Sequence, residues 1–408
     1  MALATCLGAA LVSCSDAGPD GAGRSAAGTA AAARLAGLAQ KAADTGSLGV
    51  IVRIDSGDGK PVELARQAAW TKDDHRIAAG DRFRVGSNTK TLTATLVLQQ
   101  AADHRIGLDD TVEQWLPGLV RGGKDITVRM LLNHTSGLGD FLLTEPFLPS
   151  LTGQDKRAWT PQQLLAITPA QDPPAQPGQR YSYSNANYEA LGLILEKATG
   201  SGLAELIKKN ITGPLGMKDT YLATKAGWNT GQPHVNGYEP DAERLKAILS
   251  GTVDLPEGTG FAGPGRPGDN TDTSVIDPSW SWAAGAMVST AHDWQRFLTA
   301  LNSGELLPKT QLEQMRTTVD APEEGGGYGL GLMRVDTACG TVWGHTGGLP
   351  GYSSEIYTDA NGRRSVAVLT STNFGIKEKK AATGNKTLVE AAVCQMLGKP
   401  QPPDSPAG

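Results

Sequence analysis

Ser87 and Lys90 stand three positions apart, where the strand-like run Phe83-Arg84-Val85-Gly86 gives way to the stretch TLTATLVLQQ. If a helix begins there, the spacing puts hydroxyl and amine on one face, one turn apart. A serine hydroxyl is a poor nucleophile until a neighbouring base takes its proton, and Lys90 is within reach to do so. The positive end of the helix dipole would favour negative charge developing on the oxygen. To act as a base Lys90 must be neutral, and burial beside a second cation or in a dry cleft lowers its pKa in that direction. A chain of this size holds about one S-x-x-K by chance. This one is the sequence's sole example, and it sits at a strand-to-helix junction.

Two further groups complete a constellation. Tyr183-Ser184-Asn185 follows Pro177-Gly178 and precedes the helical run NYEALGLILEKATG. A phenol there can relay protons, and an amide can both donate to and accept from a substrate. The same residues also suit a helix-capping asparagine beside a packed tyrosine. His345-Thr346-Gly347, with Gly344 before it and Gly348 after it, lies on an expected strand whose missing side chains would let a ligand lie along the backbone. The backbone N–H groups of Ser87 and Gly348 could then form an oxyanion hole. A strand-end histidine beside a glycine turn is the plainer alternative.

The elements that must position these groups can be read from pattern. The 408 residues contain 51 Gly and 24 Pro, with 39% hydrophobic and 19% charged residues. That composition excludes collagen-like repeats and wholesale disorder. Lys+Arg 37 against Asp+Glu 42 gives a net charge of -5. There is no basic excess for a phosphate backbone, so nucleic acid is not an expected partner. An amphipathic helix is expected from about Ala30 to Ala43, then a hairpin from LGVIVRI (48–54) to Trp70, and a helix over 88–104. Helical stretches and Pro/Gly loops fill the segment to about residue 275. Strands return at YGLGLMRV (328–335), TVWGHT (341–346), SSEIYTD (353–359) and RRSVAVLT (363–370), before a final helix near 385–397. The expectation is an α/β fold of the α+β kind. An antiparallel sheet built from both chain ends and flanked by terminal helices would stand beside a mostly helical lobe, with the active site in the cleft between them. The sheet lobe would take about 33–87 and 280–398, and the helical lobe about 88–279.

The first fifteen residues, MALATCLGAALVSCS, carry no charged side chain and read as an export signal without a basic front. Leu11-Val12-Ser13-Cys14 resembles a bacterial lipobox, which would lipidate Cys14 and attach the protein to the outer face of the membrane. Ser15 to Ala32 would then be a flexible tether, and 399–408 a disordered tail. In an exported chain Cys339 and Cys394 are expected to pair, closing a loop worth about 4 kcal/mol in the chain-entropy model. A buried unpaired couple is the alternative.

Taken together, S-x-x-K, Y-x-N and H-T-G in this order resemble the penicillin-recognising serine hydrolases, specifically the class C β-lactamase and D-alanyl-D-alanine carboxypeptidase group. RFRVGSNTK (82–90), LLNHTSGL (131–138), PGQRYSYSNANYEALG (177–192), SWAAGAMVST (281–290), YGLGL (328–332) and GHTGGLPGY (344–352) extend the resemblance over about 35–398. Within the group it is strongest to the secreted actinobacterial DD-peptidase type, with a tryptophan matching Trp280 and a cysteine pair placed like Cys339 and Cys394. The resemblance implies Ser87 as acylated nucleophile, Lys90 as proton acceptor and Tyr183 as proton shuttle. It implies Asn185 as holder of the acyl side chain, with Trp280, His345, Thr346, Gly347 and Gly348 around the substrate. No metal and no organic cofactor are implied. The expected substrates are peptidoglycan stem peptides or other D-amino-acid acyl donors, and β-lactams. An esterase, a D-amino-acid peptidase, a cyclase, a β-lactamase or an idle penicillin-binding module are the alternatives.

Two features depart from the family's patterns, the first from the DD-peptidase type and the second from the β-lactamases. The arginine that there receives the substrate's terminal carboxylate corresponds to Met333, with Arg334 beside it, and adjacent strand residues face opposite sides. His345 stands where β-lactamases of this class carry lysine, and a neutral imidazole would pull weakly on an anion. The sequence has no G-x-S-x-G and no H-E-x-x-H, which disfavours a nucleophile elbow and zinc chemistry. His134 in LLNHTSGL reads as structural.

Overall fold

The run LGVIVRI is apolar at nearly every position because both faces of its strand are covered. In the strand Gly49–Asp55, Val50, Val52 and Ile54 face the two terminal helices, while Ile51 joins the large core on the opposite side. The strand Ser365–Thr370 divides in the same way, with Val366 and Val368 outward and Ala367 and Leu369 inward. This period of two is the elementary property of a strand. The computed structural model describes residues 19–401 except 143, 171–174, 226, 229–232 and 251–254, and the side chains of 19–29 are not described.

Eight antiparallel strands form the main sheet. In spatial order they are Val62–Gln67, Gly49–Asp55, Ser365–Thr370, Tyr352–Thr358, Gly340–Leu349, Met333–Thr337, Gly326–Tyr328 and Val319–Ala321. Strands from both chain ends therefore pair near one edge of the sheet, where Val50 lies opposite Thr370. The helices Pro19–Ala42 and Lys379–Met396 pack over one face through Leu35, Leu38, Ala39, Leu388, Ala392 and Met396. The N-terminal helix begins at Pro19, so part of the expected tether is helical, as its alanine-rich sequence favours. Residues 399–401, expected to open a disordered tail, fold back. Arg34 donates to Gln401 at 2.7 Å. Cys339 and Cys394 are bonded, with Cα atoms 5.2 Å apart, which ties the turn before the strand Gly340–Leu349 to the last helix. The expected signal, Cys14 and residues 402–408 lie outside the described residues.

Against the other face stand the helices of the large core, centred on Thr89–Ala102. Every side chain from Thr89 to Leu98 is buried, the condition of a helix covered on all sides. Its threonines weaken intrinsic helix propensity, but two of them bond outward to neighbouring backbone. Thr91 donates to Gly331 O at 2.7 Å and Thr93 to Ala283 O at 2.8 Å, fixing this helix against the two segments that frame the cleft. The helix Asn185–Thr199 packs alongside and ends at Gly200, whose φ of +70° closes it.

The pattern misread two regions. YGLGLMRV is not one strand but a hairpin, Gly326–Tyr328 and Met333–Thr337, turning through Gly331 at φ +76°. The segment expected to be helices and loops also contributes to two three-stranded sheets. Their strands are two or three residues long, too short to leave a period of two in the sequence. Among the described residues no helix is long and apolar enough to cross a membrane, and no group of three His, Cys, Asp or Glu could hold a metal ion.

Candidate active site

The nucleophile turn is a single 3-10 turn, Gly86–Asn88, pressed against the sheet. Gly86 has φ +56°, and a Cβ there would lie 2.6 Å from Gly348 N, so only glycine permits both the bend and the contact. Asn88 donates to Ser354 Oγ at 2.9 Å, and Ser354 donates to Val85 O at 2.8 Å. These bonds fasten the turn to the strand Tyr352–Thr358. Ser87 is left half-buried, opening on a cavity of about 310 Å³.

Lys90 is fully buried, and its Nζ lies 3.0 Å from Ser87 Oγ, 2.7 Å from Asn185 Oδ1 and 2.8 Å from Ala284 O. Burial lowers its pKa to about 7, against the opposing pull of Asp140, Glu189 and Glu324. The partners decide what the neutral amine does. Ala284 O can only accept, and Asn185 is fixed with its oxygen toward Lys90 because its amide nitrogen donates to Asp140 Oδ2 at 2.7 Å. Two hydrogens go to these acceptors, and the lone pair is left facing Ser87. Glu189, one turn beyond Asn185, is buried, and burial pushes its carboxyl up to about 8, so it is largely neutral at pH 7.

Tyr183 and Ser87 line the same cavity, and Ser87 pulls the Tyr183 pKa down against burial. Burial raises its pKa well above the ordinary value, so at neutral pH it is a phenol able to donate a proton. The ring of His134 stacks on it at 4.3 Å. His134 Nδ1 accepts from Ser184 N at 3.2 Å and from Asn187 Nδ2 at 2.9 Å, and burial holds its pKa well below 6.5. It is therefore a neutral ring that backs the tyrosine and touches no pocket surface.

The strand Gly340–Leu349 closes the other side. Thr346, Gly347 and Gly348 line the cavity with Ser87 and Trp280. A Cβ on Gly347 would stand 3.0 Å from Ser87 N, so the backbone amides of Ser87 and the glycine pair are neighbours at one spot, as an oxyanion hole requires. His345 is different. It points to the buried side, is hydrogen-bonded to Tyr328 at 2.8 Å, and does not line the cavity. Burial lowers its pKa to about 3, which leaves it neutral and unable to attract an anion. Asn185 lines the cavity, yet its amide is already engaged by Lys90 and Asp140, so its main effect is to orient the lysine. Trp280 is buried against Phe147 and forms part of the apolar wall with Leu142 and Leu349.

No bulge rescues Arg334. Met333 pairs with Gly344 and Arg334 with Trp343 in unbroken register. The Met333 sulfur lies 3.4 Å from Thr346 N on the cavity side, while Arg334 bonds Asp336 on the opposite face. Among the described residues no cation stands at this corner in place of the expected arginine.

Three acidic residues escaped the sequence reading. Asp140 and Glu324 line the cavity. Asp140 follows LLNHTSGL closely, which is a weak local signal; Glu324 sits in a turn with none. Glu239 is fully buried and accepts from the backbone N–H groups of Gly351, Asn373, Phe374 and Gly375 and from the Thr372 hydroxyl. It holds the loop whose Asn373 side chain lies directly against Gly348.

The chain matches the family described as Beta-lactamase over residues 35–391. It is 30% identical to "Esterase EstB" of Burkholderia gladioli, over 72% of this chain and 78% of that protein. It is 26% identical to "Penicillin-binding protein 4*" of Bacillus subtilis, over 80% of this chain and 67% of that one. Among solved structures it resembles a D-stereospecific amidohydrolase from Streptomyces sp., with a TM-score of 0.72 and 34% identity over 90% of this chain and 98% of the other.

Proposed function

The chain belongs to the beta-lactamase family of serine hydrolases, and from that premise we propose that it cleaves D-amino-acid amides and esters through an acyl-enzyme on Ser87. One observation carries the reading: Lys90 holds two pure acceptors and turns its remaining valence to Ser87 Oγ at 3.0 Å. In acylation the Lys90 lone pair takes the Ser87 proton as Oγ bonds to the substrate carbonyl carbon. The oxyanion is met by the N–H groups of Ser87 and Gly348, each such donor typically worth 10²–10³ in rate. Collapse breaks the carbon–nitrogen or carbon–oxygen bond, and the leaving atom receives the Tyr183 proton. Lys90 returns its proton to Tyr183. Water then attacks the ester on Ser87 by the reverse relay, releasing the acid and restoring the serine.

The sequence pointed more narrowly to a D-alanyl-D-alanine carboxypeptidase. Met333 in the place of the carboxylate-binding arginine counts against that substrate, and the similarity to an esterase and to a D-stereospecific amidohydrolase supports amides and esters instead. Reaction with β-lactams remains part of the proposal. An exported setting belongs to it too, supported by the Cys339–Cys394 bond, which an oxidising compartment would preserve.

The test is turnover of a D-amino-acid amide, a short-chain ester, a chromogenic cephalosporin and a D-Ala-D-Ala peptide by purified protein. Amide and ester should exceed the D-Ala-D-Ala peptide at least tenfold in kcat/KM. Preference for the peptide would return the assignment to a carboxypeptidase.

A further inference from the structure

The departing half of the substrate leaves toward Tyr183, because that phenol supplies its proton. This direction rests on the acyl-enzyme reading above. Tyr183 and Tyr181 pack against the cluster of Ala321, Tyr328 and Met333, so the strand edge and the two tyrosines form one corner of the cavity. Tyr181 donates to Glu324 Oε1 at 3.0 Å, which fixes the carboxylate at that corner, and Glu324 lines the same cavity as Ser87. Its charge is felt at the phenol, where it helps to raise the Tyr183 pKa.

Burial raises the Glu324 pKa, and the cation that offsets its charge is the buried Lys90. Among the described residues, none that line the cavity is Lys, Arg or His. Lys90 lies beneath the surface with both hydrogens held by Asn185 Oδ1 and Ala284 O and its lone pair turned to Ser87. Arg334 faces away and is held by Asp336. Asp140, the other acidic group in the lining, has Oδ2 bonded by the Asn185 side chain and backbone and Oδ1 by Leu142 N. Among the described residues no donor bonds Glu324 Oε2. One carboxylate oxygen is therefore available on the departing side, in a half-enclosed site where charge interactions are stronger than in water.

We propose that Glu324 is a specificity-determining residue that makes this corner accept a leaving group bearing an ammonium and reject one bearing a carboxylate. The preferred substrates are then D-amino-acyl amides whose departing amine is cationic, followed by neutral amides, with free C-terminal peptides last.

Three matched substrates test this: N-acetyl-D-alanine joined to glycine, to glycinamide and to ethylenediamine, with departing groups that are anionic, neutral and cationic. The cationic-to-anionic ratio of kcat/KM should be at least tenfold in the natural protein and should shrink towards one in Glu324→Gln. Its glutamine oxygen can still accept from Tyr181. Glu324→Lys should reverse the order. If only esters turn over, the same three amines are compared as acceptors that intercept the acyl-enzyme, since they dock where a leaving amine departs. A ratio near one in the natural protein, or a ratio that Glu324→Gln and Glu324→Lys both leave intact, overturns the inference while leaving the acyl-enzyme untouched. Turnover surviving Ser87→Ala would instead overturn the reading on which it rests.

Discussion

The two ends of the cavity are built on different principles. At the nucleophile end, Ser87 and Lys90 are one helical turn apart, and the geometry follows from local backbone structure once Asn185 and Ala284 orient the amine. At the departing end, Tyr181 meets Glu324 across 143 residues of sequence, and Met333 meets Thr346 across two strands. The first end carries the groups of a serine acyl hydrolase. The second, among the described residues, has no cation where the DD-peptidase pattern has one, and holds a carboxylate instead. Bond-breaking chemistry is thus set by a compact motif, while substrate choice is set by side chains that only the fold brings together.

If the nucleophile end works as one unit, breaking it should be far costlier than altering the other. Ser87→Ala and Lys90→Met should each lower kcat/KM for an amide by at least about 10⁴-fold, and the double variant should be no worse than either alone. Losses that multiply would mean that the two act independently. Tyr183→Phe should cost about 10²–10⁴-fold for amides, the usual range for a proton donor. The loss should be smaller for an ester with an acidic alcohol, which leaves without protonation. Equal losses on both substrates would remove Tyr183 from the departing side.

Glu239→Gln probes how the glycine strand is held. It replaces a buried carboxylate by a group that can turn an N–H toward four backbone donors, and should lower unfolding free energy by about 3 kcal/mol. Urea unfolding measures this, and a change within 0.5 kcal/mol, estimated as the ordinary surface effect, would deny the loop its anchor. The smallest effect is on pH dependence. Lys90 must be neutral to take a proton and has a pKa lowered to about 7, so kcat/KM for acylation should rise about tenfold per unit below pH 7 and level off above it. Flat kinetics from pH 5 to 8 would mean that Lys90 is not the base.

Much of the nucleophile end was legible in the sequence because its determinants are short-ranged. The turn at Gly86, the one-turn spacing to Lys90 and the helix starting at Asn185 leave marks within ten residues. Strand alternation also showed that Met333 and Arg334 face opposite sides, and the unbroken pairing with Gly344 and Trp343 agrees. Less could be read where two functions share one pattern. YGLGLMRV has strand-forming residues throughout, and only the left-handed Gly331 reveals the turn. His345 sits in the right motif, yet the pleat sends its ring to Tyr328 rather than to the cavity. Glu239 and Glu324 had no local signature, since what matters is a loop more than 130 residues away in one case and a tyrosine hydroxyl in the other.

The most direct test of the central claim is intact-mass analysis after rapid acid quench of protein mixed with a slowly turned-over ester or a β-lactam. The account predicts one acyl adduct per chain, mapped by peptide digestion to Ser87, formed more slowly below pH 7 and absent from Ser87→Ala. An adduct on another residue, or one that persists in Ser87→Ala, would contradict it.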